Sequence, residues 1–125
     1  TRPGLLTGGK VSLEAFGAEV AGRSGKLSNS IFSVVKLTSG VMELGLLEAA
    51  LAETVRSAEG DLVSRTDTAC LVLLQGAREQ AARAFLARFR NVMDNRLGVD
   101  PALQAALLAS PVGPEDFRSL LASDG

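Results

Sequence analysis

Residues 61–74 read Asp-Leu-Val-Ser-Arg, Thr-Asp-Thr-Ala, Cys-Leu-Val-Leu-Leu. Two short apolar runs joined by a tight polar stretch predict a β-hairpin. A two-stranded hairpin does not stand alone in water, so the rest of the chain has to cover it. Asp61, Ser64, Arg65 and Asp67 are expected at or near its tip, where a rigid sheet presents side chains to a partner.

Upstream of the hairpin, residues 1–10 hold Pro3, Gly4, Gly8 and Gly9 and read as a loop or incoming linker. Ser12 is placed to cap a helix with Glu14 in its first turn, and Leu13, Phe16, Gly17 and Val20 recur at helical spacing until Gly22 and Gly25. Residues 28–37, with Ile31, Phe32, Val34, Val35 and Leu37, predict a strand buried on both faces. A second helix is expected from Ser39-Gly40 to about Ser57, with Val41, Leu44, Leu47, Leu51 and Val55 inward and Glu43, Glu48 and Glu53 solvated.

After the hairpin, Gln75-Gly76 breaks the strand and a long helix follows. Its inward residues are Ala82, Phe85, Leu86, Phe89, Val92 and Met93, with Arg78, Arg83, Arg88 and Arg90 on a solvated face. Gly98 stops it, and residues 103–108 read as a strand. Pro114-Glu115-Asp116 opens a last helix that packs through Phe117, Leu120 and Leu121. The order is helix, strand, helix, hairpin, helix, strand, helix. Helices and strands thus alternate around one central sheet, in a single domain over residues 11–125. The chain opens at Thr-Arg-Pro, and we expect it to be a piece of a larger protein.

Composition removes several functions. With no histidine, the usual general base, metal ligand and pH switch are all missing. A formal net charge of −1 offers no general attraction to nucleic acid or to an acidic membrane. There is no Trp or Tyr, so a base-stacking platform could draw only on the 5 Phe, and most of those read as core. The 1 Cys excludes an internal disulfide and, inside an apolar run, reads as a buried structural thiol. No run reaches the roughly 18 apolar residues of a membrane span. Gly8-Gly9-Lys10 lacks the upstream strand and spaced glycine of a phosphate loop, and Asp94, Asp100, Glu115 and Asp116 lack calcium-loop spacing. Asp61 and Asp67 either approach across the hairpin or stand as solvated turn acids.

The order of elements, together with several short strings, resembles the GGDEF domain of diguanylate cyclases. Leu6-Thr7-Gly8 looks like the family's segment before its first helix, and residues 23–28 (Arg-Ser-Gly-Lys-Leu-Ser) are similar to the basic turn before its first strand. Asp61-Leu-Val-Ser-Arg65 looks like the strand leading into the family's signature turn, with residues 70–74 as the returning strand. Gly113-Pro114-Glu115-Asp116 with Leu120-Leu121 resembles the closing segment. The resemblance implies an α/β (α+β) fold of the nucleotidyl-cyclase kind, with a central, mainly antiparallel sheet flanked by helices.

The same comparison implies a lost catalytic centre. The family's turn carries two glycines and adjacent acids, which give a guanine nucleotide a flat backbone and a metal its carboxylate. Here the turn is Thr66-Asp67-Thr68-Ala69. Lys36 stands where the family has a metal-binding Asp, and a cation there repels Mg²⁺. The family's Phe-Lys…Asn-Asp segment is replaced by a direct turn at Ser39-Gly40. We therefore expect no catalytic residues, no metal and no cofactor. The expected role is that of a regulatory domain in a bacterial signalling protein, working in the cytoplasm through contact with another protein or with a second copy of itself. The alternative is a receptor for cyclic di-GMP through a modified inhibitory-type site. Arg56, Asp61 and Arg65 are its candidate residues, since an arginine fork suits guanine edges and phosphates. The plainer reading of Arg56 and Asp61 is a surface ion pair. Residual cyclase activity on GTP is the third reading.

Overall fold

The computed structural model describes residues 10–24, 31–55, 60–109 and 112–122. In chain order its elements are α1 (Leu13–Arg23), β1 (Phe32–Ser39), α2 (Leu44–Thr54), β2 (Leu62–Arg65), β3 (Cys70–Gln75), α3 (Glu79–Leu97), β4 (Leu103–Leu108) and α4 (Pro114–Ala122). The strands form one sheet in the order β2-β3-β1-β4, and every neighbouring pair is antiparallel. This is the α+β arrangement expected from the sequence.

β1 lies between β3 and β4, and with helices on either face of the sheet its residues 32–37 are buried on both faces. Strand alternation divides the core in two. Val35, Leu37, Val63, Cys70, Val72 and Leu74 meet Leu47 and Leu51 of α2 and Phe85, Phe89 and Met93 of α3. Phe32, Val34, Leu62, Leu71 and Leu73 meet Phe16 and Val20 of α1 and Phe117 and Leu120 of α4. All 5 Phe are buried, one step beyond the expectation that most of them belong to the core.

The ends of the helices follow local chemistry. Ser12 caps α1, its hydroxyl accepting from the Ala15 N–H at 3.1 Å. α3 closes on Gly98 in the left-handed conformation (φ 71°), where a glycine carries no Cβ penalty. α2 begins later than the sequence suggested, at Leu44 and not at Ser39. The reason is the Ser39 hydroxyl, which accepts from the N–H groups of Val41 and Met42 and donates to the Pro101 carbonyl at 2.6 Å. Those bonds hold residues 39–42 in a turn tied to the entry of β4. Val41, expected inside, is consequently 53% exposed. Two further expectations change. Val92 is on the outer side of α3, and Glu48 is half-buried, facing Lys10 at 3.8 Å. The first strand starts at Phe32; its expected residues 28–30 lie outside the described part, as does the Leu6–Gly8 string.

Candidate functional site

The hairpin forms with Leu62 opposite Leu73 and Arg65 opposite Cys70. Its two ends differ from the sequence expectation. Arg65 and Asp67 are at the tip and exposed, but Ser64 is buried with its side chain on the α1/α4 face of the sheet. Asp61 is not at the tip. It stands at the open end of the hairpin, fully buried, and its Oδ1 accepts the Gln75 N–H at 2.9 Å. The reason is structural: one residue before β2, a short carboxylate reaches the facing end of β3 and continues the ladder. Asp61 and Asp67 therefore sit at opposite ends and do not approach each other.

The open end is knitted further by Arg23, at the C-terminus of α1. Its Nη1 donates to the Gly60 carbonyl and to Gln75 Oε1, both at 2.8 Å, and its guanidinium also meets Glu19. Gly60 has φ 102°, a conformation that disfavours a side chain, and a Cβ there would also press on Gln75 at 3.4 Å. Arg23 was read only as part of a basic turn. Its role in anchoring the hairpin needs a partner 52 positions away, which periodicity does not report.

The tip is closed upon itself. The Thr66 N–H donates to the Ala69 carbonyl at 2.8 Å, and Thr66 Oγ1 accepts from the N–H groups of Thr68 (3.2 Å) and Ala69 (3.0 Å). A threonine hydroxyl thus uses the backbone donors that a phosphate or carbonyl ligand would otherwise meet. Beside the tip, Arg65 reaches over the first turn of α2, where the missing side chain of Gly45 leaves room: a Cβ would lie 3.3 Å from Nη1. Under it, Cys70 is buried and its Sγ donates to the Leu44 carbonyl at 3.5 Å. Burial, with Glu48 nearby, pushes the thiol up to about 12, against a smaller downward pull from Arg65. Cys70 is a packed thiol, in line with its place in the apolar run.

Lys36 is 4% exposed in the middle of β1, and its Nζ donates to the Leu120 carbonyl at 3.2 Å. Leu120 belongs to α4, near the end of its described residues. The lysine thereby ties the backbone of α4 to the central strand of the sheet. Thr38, Gln104 and Ala106 line a small pocket of about 200 Å³ beside it. Among the described residues, no three His, Cys, Asp or Glu side chains gather as a metal-binding group. No described helix is long and apolar enough to cross a membrane.

Of the three candidate ligand residues, Arg65 is exposed at the tip, Asp61 is committed inside the hairpin, and Arg56 lies outside the described residues. The described part therefore does not bring these three side chains into one site.

No protein-family model and no curated protein matches this chain. Solved structures do. A DGC protein from Thermotoga maritima superposes with a TM-score of 0.67 at 17% identity, covering 88% of this chain and 89% of that one. The FimX GGDEF domain from Pseudomonas aeruginosa superposes with a TM-score of 0.63 at 14% identity, covering 94% of this chain and 88% of that one. Antiparallel order, hairpin and flanking helices together give this chain a GGDEF-like fold.

Proposed function

We propose that the chain is a non-catalytic GGDEF-like regulatory domain that acts through protein contact. The observation that carries this reading is the hairpin tip. Its backbone donors are used by Thr66 Oγ1, where a nucleotide-binding turn needs them free. Lys36 supports the same reading, because the β1 position at which the resemblance expects a carboxylate holds a cation engaged with α4. The contact role rests on α2. Leu46 is 60% exposed on a helix whose other face is fully packed, and Val41 is exposed just before it. An exposed leucine on the outer side of a packed helix offers an apolar anchor that another protein can cover.

Two measurements test the proposal. Incubation with GTP and Mg²⁺ or Mn²⁺ yields no cyclic dinucleotide, and turnover would overturn the non-catalytic reading. A photo-crosslinker at position 46, in cells making the protein, gives a discrete protein adduct that one at exposed position 88 does not. Equal labelling from both positions would remove the α2 surface.

The second reading, a cyclic di-GMP receptor, keeps one exposed described residue, Arg65. Calorimetry decides it. Binding that weakens in Arg65→Ala would favour the receptor, and absence of heat at high micromolar ligand would remove it.

A further inference from the structure

We propose that β4 is a self-pairing edge: two copies of this chain join their sheets antiparallel through Leu103, Ala105 and Leu107, about a two-fold axis at Ala105. This goes beyond the contact role above and stands on a different surface, the sheet edge and not α2.

The two edges of the sheet are built differently. Along β2, Lys10 forms a parallel bridge to Val63, and the Val11 N–H donates to the Val63 carbonyl at 2.8 Å. Along β4, the outermost strand at the other end, no described segment lies beside it. β4 reads Leu-Gln-Ala-Ala-Leu-Leu in continuous register with β1, without a charge, a proline or a bulge. Those are the features with which sheet edges are ordinarily blunted.

The ladder sets which groups face outward. The Gly40 N–H donates to the Ala102 carbonyl at 3.1 Å, and these residues continue the register that pairs Ser39 with Leu103. In an antiparallel pair, hydrogen-bonded residues alternate with non-bonded ones. Gln104, Ala106 and Leu108 therefore bond to β1, while Leu103, Ala105 and Leu107 turn their N–H and C=O groups to the open side. Placing Ala105 opposite Ala105 of a second copy puts Leu103 opposite its Leu107. Every outward group of the strand then has a partner.

The side chains agree with this register. Leu103 and Leu107 lie on the α3 face, where a groove of about 330 Å³ runs between Leu86, Arg90, Leu103 and Ala105. Leu107 of the second copy enters beside Leu103 at that groove. The charges also agree. Asp100, just before the strand, is paired with Arg90 at 2.8 Å. The antiparallel arrangement sends the two Asp100 residues to opposite ends, so no like charges meet. A second copy brings a neutral edge of the same length and phase, which matches these outward groups one for one.

Sedimentation and amide exchange test this. The chain sediments near its 13.0 kDa mass at low micromolar concentration and moves toward twice that mass as the concentration approaches millimolar. Over the same range, exchange of the Leu103, Ala105 and Leu107 amides slows by about tenfold, while Gln104 and Ala106 are protected throughout. Ala105→Pro removes an outward N–H without touching the ladder to β1, so it stays monomeric with an unchanged circular dichroism spectrum. Ala105→Lys sets two like charges on the axis and acts the same way, which keeps the test intact if the proline variant fails to fold. A wild-type monomer at every concentration, or a dimer that survives both variants, would overturn the proposal. So would a dimer abolished by Leu46→Glu but kept by Ala105→Lys, which would move the contact to α2.

Discussion

The two faces of the sheet bury similar aromatic and aliphatic side chains but treat polar groups differently. On the α2/α3 face the buried polar atoms are used close at hand: the Ser33 hydroxyl donates to the Ala77 carbonyl at 2.7 Å, and Cys70 donates to Leu44. On the α1/α4 face, Ser64, Leu71, Lys36 and Ala106 form one row across all four strands. That row buries an ammonium, which reaches α4, and the Ser64 hydroxyl, which has no hydrogen-bond partner among the described residues. The contrast teaches what the buried lysine does. It ties the last helix to the central strand through a backbone carbonyl of that helix.

The hydrophobic load is the first part of this comparison to test. Phe89→Ala on the α2/α3 face and Phe16→Ala on the other each lower stability by about 3–5 kcal/mol in denaturant titration, because each removes a fully buried ring. A loss of under about 1 kcal/mol from one of them would show that its face is only loosely packed.

The lysine separates the faces more sharply. Lys36→Ala leaves a cavity and removes a buried hydrogen bond to α4, and costs about 2–4 kcal/mol. Lys36→Met keeps the volume and removes the need to bury a charge, so its cost stays under about 1 kcal/mol. Proton exchange at the C-terminal turn of α4 then speeds up in both variants. If it does so in neither, the lysine is a filler and not an anchor.

Ser64→Ala works in the opposite direction. Removing a buried hydroxyl without a partner raises stability by about 1 kcal/mol. A loss of that size would reveal a hydrogen bond at Ser64.

The smallest effect concerns Cys70 and alkaline pH. Its thiol is raised from 9.0 to about 12 by burial and by Glu48, with Arg65 opposing. Between those values the unfolded chain releases its thiol proton and the folded chain keeps it, so stability falls as pH rises from about 9 toward about 12. Cys70→Ala flattens that decline when unfolding is followed against pH. In the native wild type, alkylation at pH 8 is correspondingly slow. Fast labelling would place the thiol outside the α2/α3 core.

How much was legible in the sequence depended on the range of the interactions. The strand over 103–108 and the helix from Pro114 were read with their observed starts, since composition, breakers and the periodicity of apolar residues act locally. The start of α2 was misread because one hydroxyl, on Ser39, diverts the backbone toward Pro101, 62 positions away. The candidate site was read less well than the fold. Arg65 and Asp67 fell at the tip as expected, but Asp61 went to the other end of the hairpin and inside. A carboxylate near a turn reads as solvated unless a backbone donor is known to face it.

By itself the sequence determined the run of helices and strands, the aromatic core, the Thr66–Ala69 turn and the lack of histidine. These rest on which residues are present and how closely they recur. Only the tertiary structure decided that Lys36 bonds to α4, that Arg23 and Asp61 lock the open end of the hairpin, and that β4 is the outermost described strand of the sheet. Each of these depends on groups far apart in the chain meeting across a sheet. Strand order and register govern such meetings, and neither is written in any single stretch of residues.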